Sequence, residues 1–209
     1  LDLSKAANNI GYDYCLSVTP YYNKPTQTGL IKHYETIADA VDIAQILYNV
    51  PSRTACDLLP QSVRHLSKHP NIAGIKEAIN TKERYIELIN LSKEIKEKFY
   101  VLSGDDSTFY DLMVAGGDGV ISVAANIVPK TIVEICNLIT ENDYDAAKEA
   151  NKSIEDLYDL LFIESNPIPV KWILYKMGKI ESGIRLPLTL LDENFHEEIL
   201  SEMIKLKIL

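Results

Sequence analysis

Along this chain, short apolar and β-branched runs alternate with segments whose apolar residues recur at helical spacing. Runs of the first kind read as strands buried on both faces, and segments of the second kind as the crossover helices that bury them. The pattern therefore predicts an α/β fold with a parallel sheet. Strands are expected at 14–19, 44–50, 72–77, 100–104 and 119–124, each ended by polar or turn residues. Between them, Leu30, Tyr34, Ile37 and Val41 fall on one helical face. Asn80 followed by Glu83 reads as a capping box that opens a helix carrying Tyr85, Leu88 and Ile89. Pro129 stands near a first turn ahead of Ile132, Cys136 and Ile139. After the fifth strand only helical pattern remains, with Ala147, Ala150, Ile154, Leu157 and Leu161 on one stripe and a break at Asn166-Pro167-Ile168-Pro169. The expected organisation is a partial (β/α) barrel over 1–140 and a helical appendage over 141–209.

An eight-unit barrel takes about 250 residues before any appendage. With 209 residues and five visible βα units, three units have no counterpart, and the chain opens at Leu1 inside a helical pattern without an initiator Met. An N-terminal part is expected to be missing. An open doubly wound sheet is the competing architecture, but no strand is followed by a G-x-G-x-x-G turn, which removes support for its dinucleotide-binding form.

Composition adds exclusions. An apolar fraction of 46% supports a good core and no disorder. A net charge of -9, with Lys and Arg scattered among acids, argues against nucleic acid as a partner. Cys15, Cys56 and Cys136 are far apart and include no C-x-x-C pair, so neither a disulfide framework nor a thiolate zinc site is indicated, and a reduced cytoplasmic setting is expected. No apolar run approaches the roughly 18 residues that span a bilayer. His65 and His69 are spaced i, i+4 beside Lys and Arg and read as a solvated face, and no metal site is expected. Gly116-Gly117-Asp118-Gly119 leads into a strand and reads as a tight turn after a helix, not a phosphate loop.

Reactive groups in parallel α/β folds stand at the carboxyl ends of strands. Lys76 is the sharpest candidate, because Ile72-Ala73-Gly74-Ile75-Lys76 is otherwise apolar. Burial lowers a lysine's pKa and frees the neutral amine to attack a ketone. The competing reading makes Lys76 a structural ion pair with Glu77 or Asp105. Tyr48 ends the preceding strand, and a phenol both donates and accepts a proton. Arg53 follows in a polar turn, where its planar fork suits a carboxylate, although a solvated arginine explains it as well.

Six motifs, taken in order, resemble one family. They are Thr19-Pro20-Tyr21-Tyr22-Asn23-Lys24-Pro25, Tyr48-Asn49-Val50-Pro51-Ser52-Arg53-Thr54, Gly74-Ile75-Lys76-Glu77-Ala78, Ser103-Gly104-Asp105-Asp106, Gly119-Val120-Ile121-Ser122-Val123 and Asn166-Pro167-Ile168-Pro169-Val170-Lys171. Together they resemble the signatures of the dihydrodipicolinate synthases. That resemblance implies a (β/α)8 barrel of TIM type, here incomplete, with a C-terminal helical domain. The implied enzyme joins pyruvate to aspartate semialdehyde in the diaminopimelate route to lysine, without metal or organic cofactor, usually as a homotetramer. It also implies roles: Lys76 as Schiff-base lysine, Tyr48 as proton donor and acceptor, and Tyr22 as a tyrosine that reaches into a neighbour's proton relay. Arg53 corresponds to the arginine that receives the semialdehyde carboxylate, Gly104 and Ile121 to backbone positions near pyruvate, and Tyr21 to an aromatic of the allosteric lysine site. Lys171 does not correspond to the nucleophile. The family's threonine pair, which binds the pyruvate carboxylate, has no counterpart among these motifs. Resemblance to N-acetylneuraminate lyase is weaker, since Pro51-Ser52-Arg53 suits the synthase substrate. A further reading makes the 209-residue chain a non-catalytic remnant of the synthase.

Overall fold

The computed structural model describes residues 1–95 and 97–209. Two compact units divide the chain, 1–121 and 122–209. The first unit runs α1 (Asp2–Ile10), β1 (Tyr14–Val18), α2 (Gln27–Ala40), β2 (Ala44–Asn49), α3 (Pro51–Thr54), α4 (Pro60–Leu66), β3 (Ile72–Glu77), α5 (Lys82–Glu94), β4 (Tyr100–Ser103), α6 (Phe109–Val114) and β5 (Gly119–Val120). All four strand pairings are parallel, and the order in the sheet is the order in the chain, β1-β2-β3-β4-β5. Sequential parallel strands joined by helical crossovers are the repeating unit of a TIM-type barrel, as the hydrophobic pattern predicts.

The core of this unit lies between the sheet and its helices. Leu30, Tyr34 and Ile37 of α2, Leu47 of β2, Val63 and Leu66 of α4, Ile75 of β3 and Leu88 and Ile89 of α5 are all buried. Strands β2 and β3 are covered along nearly their whole length. Outer strand β1 instead alternates, exposing Tyr14, Leu16 and Val18. One irregularity sets the relation between the two central strands. Gln45 pairs with Ile72 but Ile46 pairs with Gly74, so β3 gains a residue and Tyr48 comes opposite Lys76. Had the register run on unbroken from Gln45 and Ile72, Tyr48 would face Ile75, whose side chain points to the other side of the sheet.

Three local expectations are corrected. The run 119–124 is a strand only at Gly119–Val120, with Ile121 N–H still donating to Ser103 C=O at 3.0 Å. Beyond it the Ser122 hydroxyl accepts from Ala125 N–H at 2.9 Å, and Ala124–Asn126 forms a 3-10 turn instead of further strand. The capping box at Asn80 and Glu83 does not form: Thr81 is the N-cap of α5, and its side chain makes no capping bond. The Gly116-Gly117 turn is as expected, with Gly116 at φ 111 just after α6. His65 and His69 are not merely solvated, because they face Glu35 and Asp39 of α2 at 2.9 and 3.0 Å.

The second unit is helical: the 3-10 turn, α7 (Pro129–Thr140), α8 (Tyr144–Lys152), α9 (Glu155–Leu160), α10 (Ile168–Lys176), a second 3-10 turn (Glu193–Phe195) and α11 (His196–Lys205). Pro129 occupies the first turn of α7, where its missing N–H costs nothing. The predicted stripe supplies much of this unit's core through Ala147, Ile154, Leu157 and Leu161, joined by Ile135, Ile173 and Ile199. The break before α10 coincides with a cis Asn166-Pro167 bond. Among the described residues, no helix is long and apolar enough to cross a membrane.

Because Ile75 is fully buried in β3, Ile75→Ala is expected to cost about 3 kcal/mol through lost transfer energy and a residual cavity. Urea unfolding followed by far-UV circular dichroism reads this loss.

Candidate active site

The parallel pairing of β2 with β3 puts Tyr48 directly opposite Lys76, and Val18 of β1 lies on the other side of Tyr48. Side chains paired in this way leave the sheet on the same face. The Lys76 amine accordingly sits over the Tyr48 ring, 4.4 Å from its centroid. Lys76 is 8% exposed. Burial pulls its pKa down from the ordinary lysine value, and the buried Asp106 carboxylate opposes that shift without cancelling it. A lysine so placed gives up its proton more readily than one in water, and its ammonium form still finds a ring face and a carboxylate nearby.

The expected structural ion pairs are taken up elsewhere. Glu77 accepts from Asn49, Arg84 and the N–H of Ile79, while Asp105 accepts from the hydroxyls of Ser107 and Thr108. Gly104 leaves room for the lysine: a Cβ there would lie 3.0 Å from Lys76 Cε and 3.1 Å from the Ala78 methyl. Its N–H donates to Glu77 C=O at 2.7 Å, which holds the chain after β4 against the end of β3.

Burial raises the Tyr48 phenol above its ordinary value, and the positive charge of Arg53 acts against that. Arg53 stands in the single turn α3, exposed, with its N–H bonded to Val50 C=O at 2.9 Å. Thr54 beside it is buried and accepts from the buried Thr19 hydroxyl at 3.2 Å, and Thr19 N–H donates to Tyr48 C=O at 2.9 Å. The loops after β1 and β2 are thereby tied to each other and to the Tyr48 backbone.

Lys76, Tyr48, Arg53 and Gly104 are thus brought together at the carboxyl ends of β2, β3 and β4, and Ile121, 38% exposed, follows the end of β5. Tyr21 and Tyr22 are not part of this group within the chain. They are 70% and 92% exposed on the loop after β1, and Tyr22 is held at φ 69. Lys171 lies in α10 of the second unit. Among the described residues, no group of three His, Cys, Asp or Glu side chains is arranged to hold a metal.

Sequence reasoning undervalued two features. Asp106, not Asp105, is the carboxylate that acts on Lys76. On the opposite face of the sheet, Asn49, Asp57, Glu77 and Arg84 form a polar cluster in which Asn49 and Glu77 are buried and Asp57 and Arg84 partly so. The signal available was the second polar residue after each strand's reactive one, Asn49 after Tyr48 and Glu77 after Lys76.

A desolvated lysine beside a phenol, at the carboxyl ends of sequential parallel βα units, defines an enzyme of the class I aldolase type. The chain belongs to the dihydrodipicolinate synthetase family, whose model matches residues 1–206. It is 52% identical over 200 residues to the 4-hydroxy-tetrahydrodipicolinate synthase of Coxiella burnetii, a match over 95% of this chain and 67% of that protein. The Pseudomonas aeruginosa enzyme of the same name is 51% identical over 201 residues, 96% of this chain and 68% of its own length. Among solved structures, the chloride-inhibited dihydrodipicolinate synthase of Acinetobacter baumannii complexed with pyruvate matches all of this chain and 70% of its own, with TM-score 0.94 and 48% identity. The Thermotoga maritima dihydrodipicolinate synthase matches all of this chain and 71% of its own, with TM-score 0.97 and 39% identity. The chain therefore spans about two thirds of the length of these curated relatives.

The Glu77 carboxyl gives a prediction of pH dependence. Burial pushes it from 4.5 up to about 7, against the pull of Ile79 N–H, Asn49 and Arg84, while Asp57 pushes with the burial. The folded chain keeps this proton where the unfolded chain has lost it, so the group's stabilising contribution is fully present below pH 4.5 and is lost as pH rises through about 7. Glu77→Gln is expected to flatten the fall in stability across that window, read as urea midpoints at several pH values.

Proposed function

We propose that the chain carries the synthase activity of its relatives, condensing pyruvate with L-aspartate 4-semialdehyde to 4-hydroxy-tetrahydrodipicolinate, a step of diaminopimelate and lysine biosynthesis. The observation that carries this reading is the buried Lys76 amine 4.4 Å from the centre of the Tyr48 ring. In its neutral form Lys76 attacks the ketone carbon of pyruvate to give a carbinolamine. Tyr48 delivers a proton to the hydroxyl, which leaves as water, and the imine remains on Lys76. The Tyr48 phenolate takes a methyl proton to give the enamine, whose carbon adds to the aldehyde of the semialdehyde as Tyr48 returns the proton to the new alkoxide. The semialdehyde's own amine then displaces Lys76 from the imine carbon and closes the ring.

Arg53, exposed beside Tyr48, receives the semialdehyde carboxylate with its fork of N–H groups. Gly104 and Ile121 line the space for pyruvate with backbone. Tyr22, projecting on its loop, enters the proton relay of a second copy, and Tyr21 belongs to a feedback-lysine site. Lys76 is itself the covalent carrier, so no metal or organic cofactor takes part in this scheme. A homotetramer in the cytoplasm is part of the same reading. So is the division of the chain into a barrel part through residue 140, where the helix after the fifth strand ends, and an appendage over 141–209. The names of the relatives favour the synthase over an aldolase of the sialic-acid lyase type.

Borohydride added with pyruvate to the full chain is expected to leave a reduced adduct on Lys76, located by mass mapping, and Lys76→Ala to abolish it. An adduct on Lys171, or none, overturns the proposal. Tyr48→Phe is expected to slow turnover by roughly a hundredfold or more. Arg53→Ala is expected to raise KM for aspartate semialdehyde while the pyruvate adduct still forms, as steady-state kinetics and trapping together will read.

A further inference from the structure

Behind the reactive pair, on the face of the sheet toward the helices, lies a polar cluster that the scheme above does not use. Tyr48 pairs with Lys76, and one residue on, Asn49 pairs with Glu77. Alternation along a strand sends the second pair to the opposite face. There the Asn49 amide donates to both Glu77 carboxyl oxygens at 3.1 Å and to Asp57 Oδ1 at 2.8 Å, and its own oxygen accepts from Leu58 N–H at 2.9 Å. Arg84, in the first turn of α5, grips Asp57 with two nitrogens at 2.7 and 3.0 Å, and one of them also reaches Glu77 at 3.4 Å and Leu58 C=O at 3.3 Å. Glu77 Oε1 accepts from Ile79 N–H at 2.8 Å.

These bonds join the end of β2, the far end of the loop that carries Arg53, the end of β3 and the start of α5. Gln27 of α2 extends the tie, donating to Asp57 C=O at 2.7 Å and accepting from Leu59 N–H at 3.1 Å and the Ser62 hydroxyl at 2.6 Å. Asn49 and the Glu77 side chain are fully or almost fully buried. Packing alone would be served more simply by an apolar pair, since buried charges repay their desolvation only with good geometry. What polar groups add here is direction: each bond fixes a particular strand end relative to another. The more deeply buried carboxylate of the cluster, Glu77, is the immediate neighbour of Lys76.

We propose that Glu77, with Asn49, Asp57 and Arg84, is a positioning residue of this enzyme: it fixes the strand ends and the loop after β2 so that Lys76 meets Tyr48 and Arg53 at reacting distance. This rests on the reading that Lys76 carries pyruvate. Loss of the Glu77 acceptors frees the end of β3 from β2 and α5, and the lysine moves off the phenol. Misplacement on that scale costs on the order of tenfold to a hundredfold in rate.

The test compares the full wild-type chain with Glu77→Gln and the milder Arg84→Lys, which keeps the charge but not the fork, at a pH above the Glu77 value. The rate of borohydride-trappable imine formation with pyruvate is expected to fall about tenfold or more in Glu77→Gln and less in Arg84→Lys, in protein that is folded by circular dichroism. Folded variants whose trapping rate stays within about twofold of wild type overturn the proposal. A second measurement does not depend on the reaction. Lys76, labelled with ¹³C by reductive methylation, is titrated by NMR, and its pKa is expected to rise in the variants as the amine meets water. An unchanged titration overturns positioning, while a wild type that traps no pyruvate overturns only the reaction scheme. If Glu77→Gln does not fold, Arg84→Lys decides by the same two measurements.

Discussion

The site depends on keeping a primary amine out of water without fixing it to a carboxylate. A lysine locked against a carboxylate is charged and unreactive, and a lysine in solvent is charged and solvated. Here Lys76 escapes both states. The acids nearest in sequence are held by other donors, Glu77 by Asn49 and Arg84, Asp105 by Ser107 and Thr108. The remaining carboxylate, Asp106, tempers the downward shift and does not reverse it. The polar partners on the back of the sheet thus also leave the front of it free for chemistry.

A good part of this was legible in the sequence, because it rests on short-range regularities. Strands β1 to β4 follow from apolar runs ended by polar residues, and the faces of α2, α5 and α7 from helical spacing. Lys76 stood out as the one cation in an apolar strand. The failures are just as physical. The fifth strand was drawn too long because apolar Ile121, Val123 and Ala124 also suit a 3-10 turn, and only the Ser122 hydroxyl decides between the two. The helix starts one residue later than Asn80 suggests, since Thr81 is also an acceptable N-cap type, and no capping box forms at either position, because a box is a contact pattern, not a spelling.

The cluster behind the site was illegible for a different reason. Asn49, Asp57, Glu77 and Arg84 are distant in sequence, and each alone reads as an ordinary polar residue near a strand end or helix start. Only the pairing of β2 with β3 brings the first and third together, and only the packing of α5 brings the fourth. Asp106 escaped notice similarly: it and Asp105 are equivalent in a strand-end motif until the turn after β4 has formed and buried Asp106 where its charge acts on the lysine.

The extra residue in β3 opposite Gln45 and Ile46 acts as a parity switch. Two compartments lie back to back across one thickness of backbone, one holding an amine and a phenol, the other an amide, two carboxylates and a guanidinium. Which contents share a compartment is decided by counting residues, not by the contents themselves. Were Ala73 to take the place opposite Ile46 instead of being passed over, every side chain's chemistry would stay intact and yet the amine would fall one step out of line with the phenol, so that register, at this point of the chain, is as much a part of the catalytic apparatus as identity.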